Sequence, residues 1–114
     1  MEKIYRQVLL YDFYGELLKE HQKAVYEEAV CNDLSLSEIA QQQGISRQGV
    51  HDLIKRCDKI LQNYEDTLHL VERFTKAREK VQEIQSIAES GAESSPAEML
   101  EKIKQLSLEL LQEL

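Results

Sequence analysis

The sequence predicts an all-α fold: a helix-turn-helix domain, then a long helix, then an amphipathic C-terminal helix. Three observations predict it. Proline occurs once and tryptophan not at all, while long runs are rich in Glu, Lys, Gln and Leu, residues that lose little on entering a helix. Apolar residues recur every three or four positions over most of the 114 residues. Start and stop signals divide that periodicity into helices of ordinary length.

Ile4, Val8, Tyr11 and Leu18, with Leu9, Phe13 and Leu17, share helical spacing. Gly15 interrupts them, so a first helix ends near Tyr14 and a second spans Glu20–Cys31. Asn32 and Asp33 form a turn. Ser35 or Ser37 can cap a third helix, and Ser35 with Glu38 makes an S-x-x-E capping box; Leu36, Ile39 and Ala40 are its apolar side. That helix stops at Gly44, a residue suited to the left-handed position after a helix. Ser46 caps a fourth helix, whose Val50, Leu53, Ile54, Cys57 and Leu61 face inward.

Residues 1–63 are read as the helix-turn-helix domain and 64–114 as a helical extension. In the extension the periodicity of Tyr64, Leu68, Val71, Phe74, Val81, Ile84 and Ala88 predicts a long helix over 64–89. The small residues of 90–95 read as a linker. Ser95-Pro96-Ala97-Glu98 joins a capping box to proline at the first helical position. It starts a terminal helix, 96–114, expected to bury Met99, Ile103, Leu106, Leu110, Leu111 and Leu114. The seam of Leu68, Val71, Phe74, Val81 and Ile84 exceeds what a small core covers. It predicts a homodimer, unless the helix after Pro96 folds back over it.

The helix-turn-helix reading is specific. With Leu36 as the first of twenty positions ending at Lys55, Ala40 stands fifth, where a small side chain lets the helices approach. Gly44 stands ninth, where the turn needs positive φ. Ile39, Ile45, Val50 and Leu53 fill the fourth, tenth, fifteenth and eighteenth places, which pack the two helices together. Gln43, at the eighth, fits poorly.

The second helix of such a unit offers its N-terminal side chains to the major groove. Here these are Ser46, Arg47, Gln48 and His51. Arg47 suits guanine O6 and N7, and Gln48 suits adenine N6 and N7. Lys55 and Arg56, further along, suit phosphates. Charge distribution agrees. The chain carries −7 overall, which argues against nonspecific nucleic-acid binding over its whole surface. Residues 46–60, however, carry Arg47, Lys55, Arg56 and Lys59 against Asp52 and Asp58, a local +2. Asp52 lies within that face and repels phosphate. The same residues also read as a solvated first turn of a protein-contact domain, since this packing serves both uses.

Asp12-Phe13-Tyr14 with Leu17-Leu18, Gln22, Leu36-Ser37-Glu38-Ile39-Ala40, Ile45-Ser46-Arg47-Gln48-Gly49-Val50, Asp52, Ile54, Lys55-Arg56, Leu61, Tyr64 and Leu68 together resemble the YlxM family of bacterial signal-recognition-particle-associated helix-turn-helix proteins. The central part is also similar to the fourth region of bacterial sigma factors. The resemblance implies a bacterial regulatory protein linked to the targeting pathway, with the particle's GTPase or its RNA as further partners. His51, Leu53 and Gly49 depart from the family's usual tyrosine, asparagine and alanine.

Two functions follow: a regulator that binds duplex DNA, and a non-catalytic adaptor of the signal recognition particle GTPase without sequence-specific DNA binding. An enzyme is not expected, for there is no P-loop, no G-x-G-x-x-G and no H-E-x-x-H. His21, His51 and His69 lack ligand-spaced neighbours, so no metal, cofactor or small-molecule substrate is expected. Cys31 and Cys57 are isolated, as in a reducing compartment. The N-terminus has no basic patch followed by an apolar run, and no stretch approaches the ~20 apolar residues of a membrane span. A cytoplasmic protein is therefore expected.

Overall fold

The computed structural model describes residues 2–90 and 95–114, and of Glu2 only the backbone. Among these residues there are six α-helices, one short 3₁₀ turn and no strand. The chain is all-α, as its composition and periodicity predict. The helices are α1 (Glu2–Tyr14), α2 (Glu20–Val30), α3 (Leu36–Gln43), α4 (Arg47–Leu68), α5 (Leu70–Ser90) and α6 (Pro96–Glu113), and the 3₁₀ turn is Gly15–Leu17. They form two compact units, Met1–His69 and Leu70–Leu114.

In the first unit, α4 is the central helix, and α1, α2 and α3 each pack on it. Val25, Ile39, Ala40 and Val50 make a buried cluster, flanked by Ala29, Leu34, Leu36, Leu53 and Ile54. Cys57 and Leu61 continue the buried stripe along α4 at helical spacing. Gly15 marks the end of α1 for a steric reason: a Cβ there would stand 2.8 Å from the Tyr11 ring. Ile4 and Leu17 share the helical periodicity but stay more than half exposed.

The turn of the bihelical unit is built by its caps. The Ser35 Oγ accepts from the Glu38 N–H at 3.1 Å, and the Glu38 carboxylate accepts from the Ser35 N–H at 3.2 Å. Gly44 takes φ 69° and ψ 31°, and the Ile45 N–H donates to the Ala40 carbonyl at 3.1 Å. Ile45 is less enclosed than its place in the pattern predicts, at 36 % exposed, because the turn carries it to the surface.

The long helix expected over 64–89 is not one helix. α4 runs on to Leu68, so the division expected between 63 and 64 falls inside it. The break comes at His69, which takes the left-handed conformation (φ 56°, ψ 30°) and ends α4. Leu68 therefore belongs to the first unit, while Val71, Phe74, Val81 and Ile84 belong to the second. The break divides the predicted dimer seam. Val71 is already buried, Ile84 is half-buried, and Phe74 and Val81 are exposed.

In the second unit, α5 packs against α6. Ala77, Lys80, Ile84 and Ile87 are the less exposed positions of α5, and Leu106 is buried on α6. Lys80 and Glu109 pair across the two helices at 3.8 Å. The chain thus folds back after Pro96. The terminal helix starts where its signals predict, with the Ser95 Oγ accepting from the Glu98 N–H at 3.2 Å. It buries less than predicted: Leu111 is 66 % and Leu114 92 % exposed, since one neighbouring helix covers only one stripe. The linker expected at 90–95 lies outside the described residues at 91–94.

Candidate nucleic-acid interface

The start of α4 is held outward by the packing behind it. Val50 is fully buried against α2 and α3, which fixes the opposite face toward solvent. Ser46 forms the cap, its Oγ accepting from the Gly49 N–H at 2.9 Å. The hydroxyl keeps its proton and a second lone pair for other partners.

Arg47, Gln48 and His51, with Leu36 from α3, line a hollow of about 390 Å³. Arg47 and Gln48 are exposed and His51 is half-buried. Gln48 donates from Nε2 to Asp52 Oδ1 at 2.9 Å, an i,i+4 bond along the outer face. His51 Nδ1 lies 3.8 Å from the same oxygen, too far for a hydrogen bond. Among the described residues this nitrogen has no partner, although it is shut off from solvent. The Asp52 carboxylate therefore competes with any ligand for Gln48.

The structure does not gather all six predicted residues at one place. Lys55 points to a second groove, shared with Lys3 and Arg6 of α1 and Lys59 of α4. Arg56 is exposed but stands about 100° further round the helix than Lys55, as adjacent residues must at 3.6 per turn. The predicted set thus comprises a cluster, Arg47, Gln48 and His51, the cap Ser46 that starts the same helix, and two outlying cations. Lys3, Arg6 and Lys59 were not singled out from sequence. The i,i+4 spacing of Lys55 and Lys59 is a visible signal, but the pairing of α1 with α4 is not.

Deeper contacts fix α4 in place. Tyr26 donates to Asp58 Oδ1 at 2.5 Å, and Gln7 donates to both oxygens of the same carboxylate at 2.9 and 3.2 Å. Burial, then the hydrogen bond to Asp58, pushes the Tyr26 hydroxyl well above the usual phenol range. Tyr14 donates to Glu65 Oε1 at 2.6 Å, a carboxylate only 4 % exposed. Burial pushes the Cys57 thiol up to about 11, with the neighbouring Asp58 charge adding to it. These groups are structural anchors of the helix that carries the interface.

Among the described residues no group of three or more His, Cys, Asp or Glu side chains could hold a metal ion. No helix among them is long and apolar enough to cross a membrane.

Residues 1–103 match the family UPF0122, described as "Putative helix-turn-helix protein, YlxM / p13 like". A UPF0122 protein of Clostridium kluyveri is 43 % identical over 104 residues, covering 91 % of this chain and 94 % of that protein. One of Desulforamulus reducens is 37 % identical over 112 residues, covering 98 % and 96 %. One of Bacillus pumilus is 36 % identical over 100 residues, covering 88 % and 91 %. With the caps, the left-handed glycine and the buried bihelical core in place, the chain belongs to the UPF0122 family of YlxM / p13-like helix-turn-helix proteins.

Proposed function

We propose that this chain is a non-catalytic regulatory protein that binds duplex DNA through the start of α4. One observation carries the reading: Arg47, Gln48 and His51 stand together at the outward end of a helix whose opposite face is buried. Arg47 meets guanine with its fork, and Gln48 meets adenine after releasing Asp52. Lys55 and Arg56 meet phosphates on either side. The family resemblance supports a place in the signal recognition particle pathway. It does not support contact with the particle's RNA through α4, because the major groove of A-form RNA is too deep and narrow for a helix.

The test is a titration of duplex DNA with wild type and with Arg47→Ala, Lys55→Ala and Arg56→Ala at two salt concentrations. Arg47→Ala is expected to relax sequence preference, at a cost of about 1–3 kcal/mol. Lys55→Ala or Arg56→Ala is expected to weaken every sequence alike and to reduce the log–log salt slope by about 0.9 each. A triple variant that binds as wild type does would refute the reading.

A second reading, an adaptor that touches the particle's GTPase, has Asp52 in its favour. The carboxylate sits in the middle of the face and engages Gln48, which suits a protein surface better than a phosphate backbone. Recovery of the GTPase, and not of DNA fragments, with the chain from cells would establish that reading.

A further inference from the structure

Beyond its first two turns, α4 forms one wall of a groove of about 450 Å³, and α1 forms the other. Lys3 and Arg6 of α1 and Lys55 and Lys59 of α4 line it, above a floor made by Leu10. The carboxylate in that lining, Asp58, is occupied by the Tyr26 hydroxyl and the Gln7 amide. Arg6 donates to the neutral Gln62 side chain at 2.9 Å. Among the described residues Lys3, Lys55 and Lys59 make no ion pair. Lys55 and Lys59 stand one turn apart, where like charges repel. Four cations thus converge on one carboxylate, a local excess of positive charge in a chain of net charge −7.

We propose that this groove is a second phosphate-binding surface, which seats the backbone of duplex DNA flanking the base pairs met by the start of α4. The inference rests on the duplex-binding reading and extends it from Lys55 to Lys3, Arg6 and Lys59, which that reading does not use. Distance along the helix supports it. Lys59 lies twelve residues beyond Arg47, about 18 Å at 1.5 Å per residue. With the N-terminal residues of α4 in the major groove, this part of the helix reaches toward the backbone that flanks it. Charge complementarity supports it too: three of the four cations are lysines, compact charges that meet phosphate oxygens without a fixed approach. Lys55 joins this surface to the recognition end. An acidic protein segment is the competing occupant, and polyglutamate stands for it in the experiment.

The experiment measures fluorescence anisotropy of labelled duplexes of several sequences at about 50 and about 200 mM salt. It compares wild type, the double variant Lys3→Gln/Lys59→Gln and the double variant Arg47→Ala/Gln48→Ala, with thermal melts as folding control. The groove variant is expected to lose about 1.8 from the log–log slope and to weaken all sequences equally. Lys59→Glu alone, a single exposed change, is expected to weaken binding further than Lys59→Gln. An unchanged slope in the groove variant and unchanged affinity in Lys59→Glu would overturn the proposal while leaving the recognition end standing. A lowered slope, with sequence preference unaffected by Arg47→Ala/Gln48→Ala, would uphold the groove and refute the base contacts. Wild type that binds no duplex overturns both. So does wild type that binds polyglutamate through Lys3 and Lys59 and leaves DNA alone.

Discussion

Glu65 and Asp58 both accept a tyrosine hydroxyl, but they differ in how deeply they are buried. Glu65 is 4 % exposed and receives Tyr14 at 2.6 Å. Asp58 is half-buried and keeps Gln7 on both oxygens without Tyr26. Tyr14→Phe is therefore expected to cost about 1.5–3 kcal/mol, the range for a bond to a charged group. Tyr26→Phe is expected to cost less, and urea unfolding of the two variants checks the order. Cys57 gives a pH dependence. Its thiol ionises near 9.0 ordinarily and near 11 in the fold, so the folded state holds the proton more tightly. The stability this adds is complete below pH 9 and is lost as the pH rises toward 11. Urea midpoints measured across that window are expected to fall, and to fall less in Cys57→Ala. The residue scale was only partly legible in sequence. Cys57 reads as a small buried apolar residue from its place in the stripe. The two tyrosine–carboxylate pairs do not read at all, because their partners lie 32 and 51 positions apart, and no local pattern marks them.

At the scale of an element, the start of α4 carries Gly49, the residue of lowest helix propensity after proline. Helix propensity alone gives Gly49→Ala a gain of about 1 kcal/mol. Space reduces it: a Cβ there would stand 3.2 Å from Ser46 Oγ, the atom that accepts the Gly49 N–H. The substitution is expected to stabilise by less than the propensity value, and a thermal melt beside wild type checks this. Caps and turns were the most legible elements. Ser35, Gly44, Ser46 and Ser95-Pro96 each stand at the boundary that their chemistry predicts. The break at His69 was not legible. A left-handed histidine carries no mark like that of glycine or proline, and the apolar period runs from Leu68 to Val71 as though the helix continued.

The whole molecule is two compact units that put their charge to different uses. The first collects Lys3, Arg6, Lys55 and Lys59 in one groove, whereas the second leaves apolar side chains outward. Val81 is 51 %, Leu100 68 %, Leu108 55 % and Leu111 66 % exposed. These residues, Val81 of the seam among them, are the apolar surface that the fold-back of α6 leaves uncovered, and we propose them as the contact of a homodimer. Sedimentation equilibrium at tens of micromolar checks it: a dimer mass for wild type that falls to the monomer mass in Val81→Glu/Leu111→Glu supports the homodimer, and a monomer mass for wild type leaves the fold-back alone to satisfy the seam. The total charge was legible from sequence, but its sorting was not, since α1 and α4 meet only in the fold. Asp58 shows what that meeting entails. One carboxylate on α4 accepts from Gln7 of α1 and Tyr26 of α2, so three helices close on a single acceptor. Loosening any one of them exposes a charged group the others rely on. Slow amide exchange in α1, α2 and the middle of α4 should then be lost in one shared opening and not helix by helix.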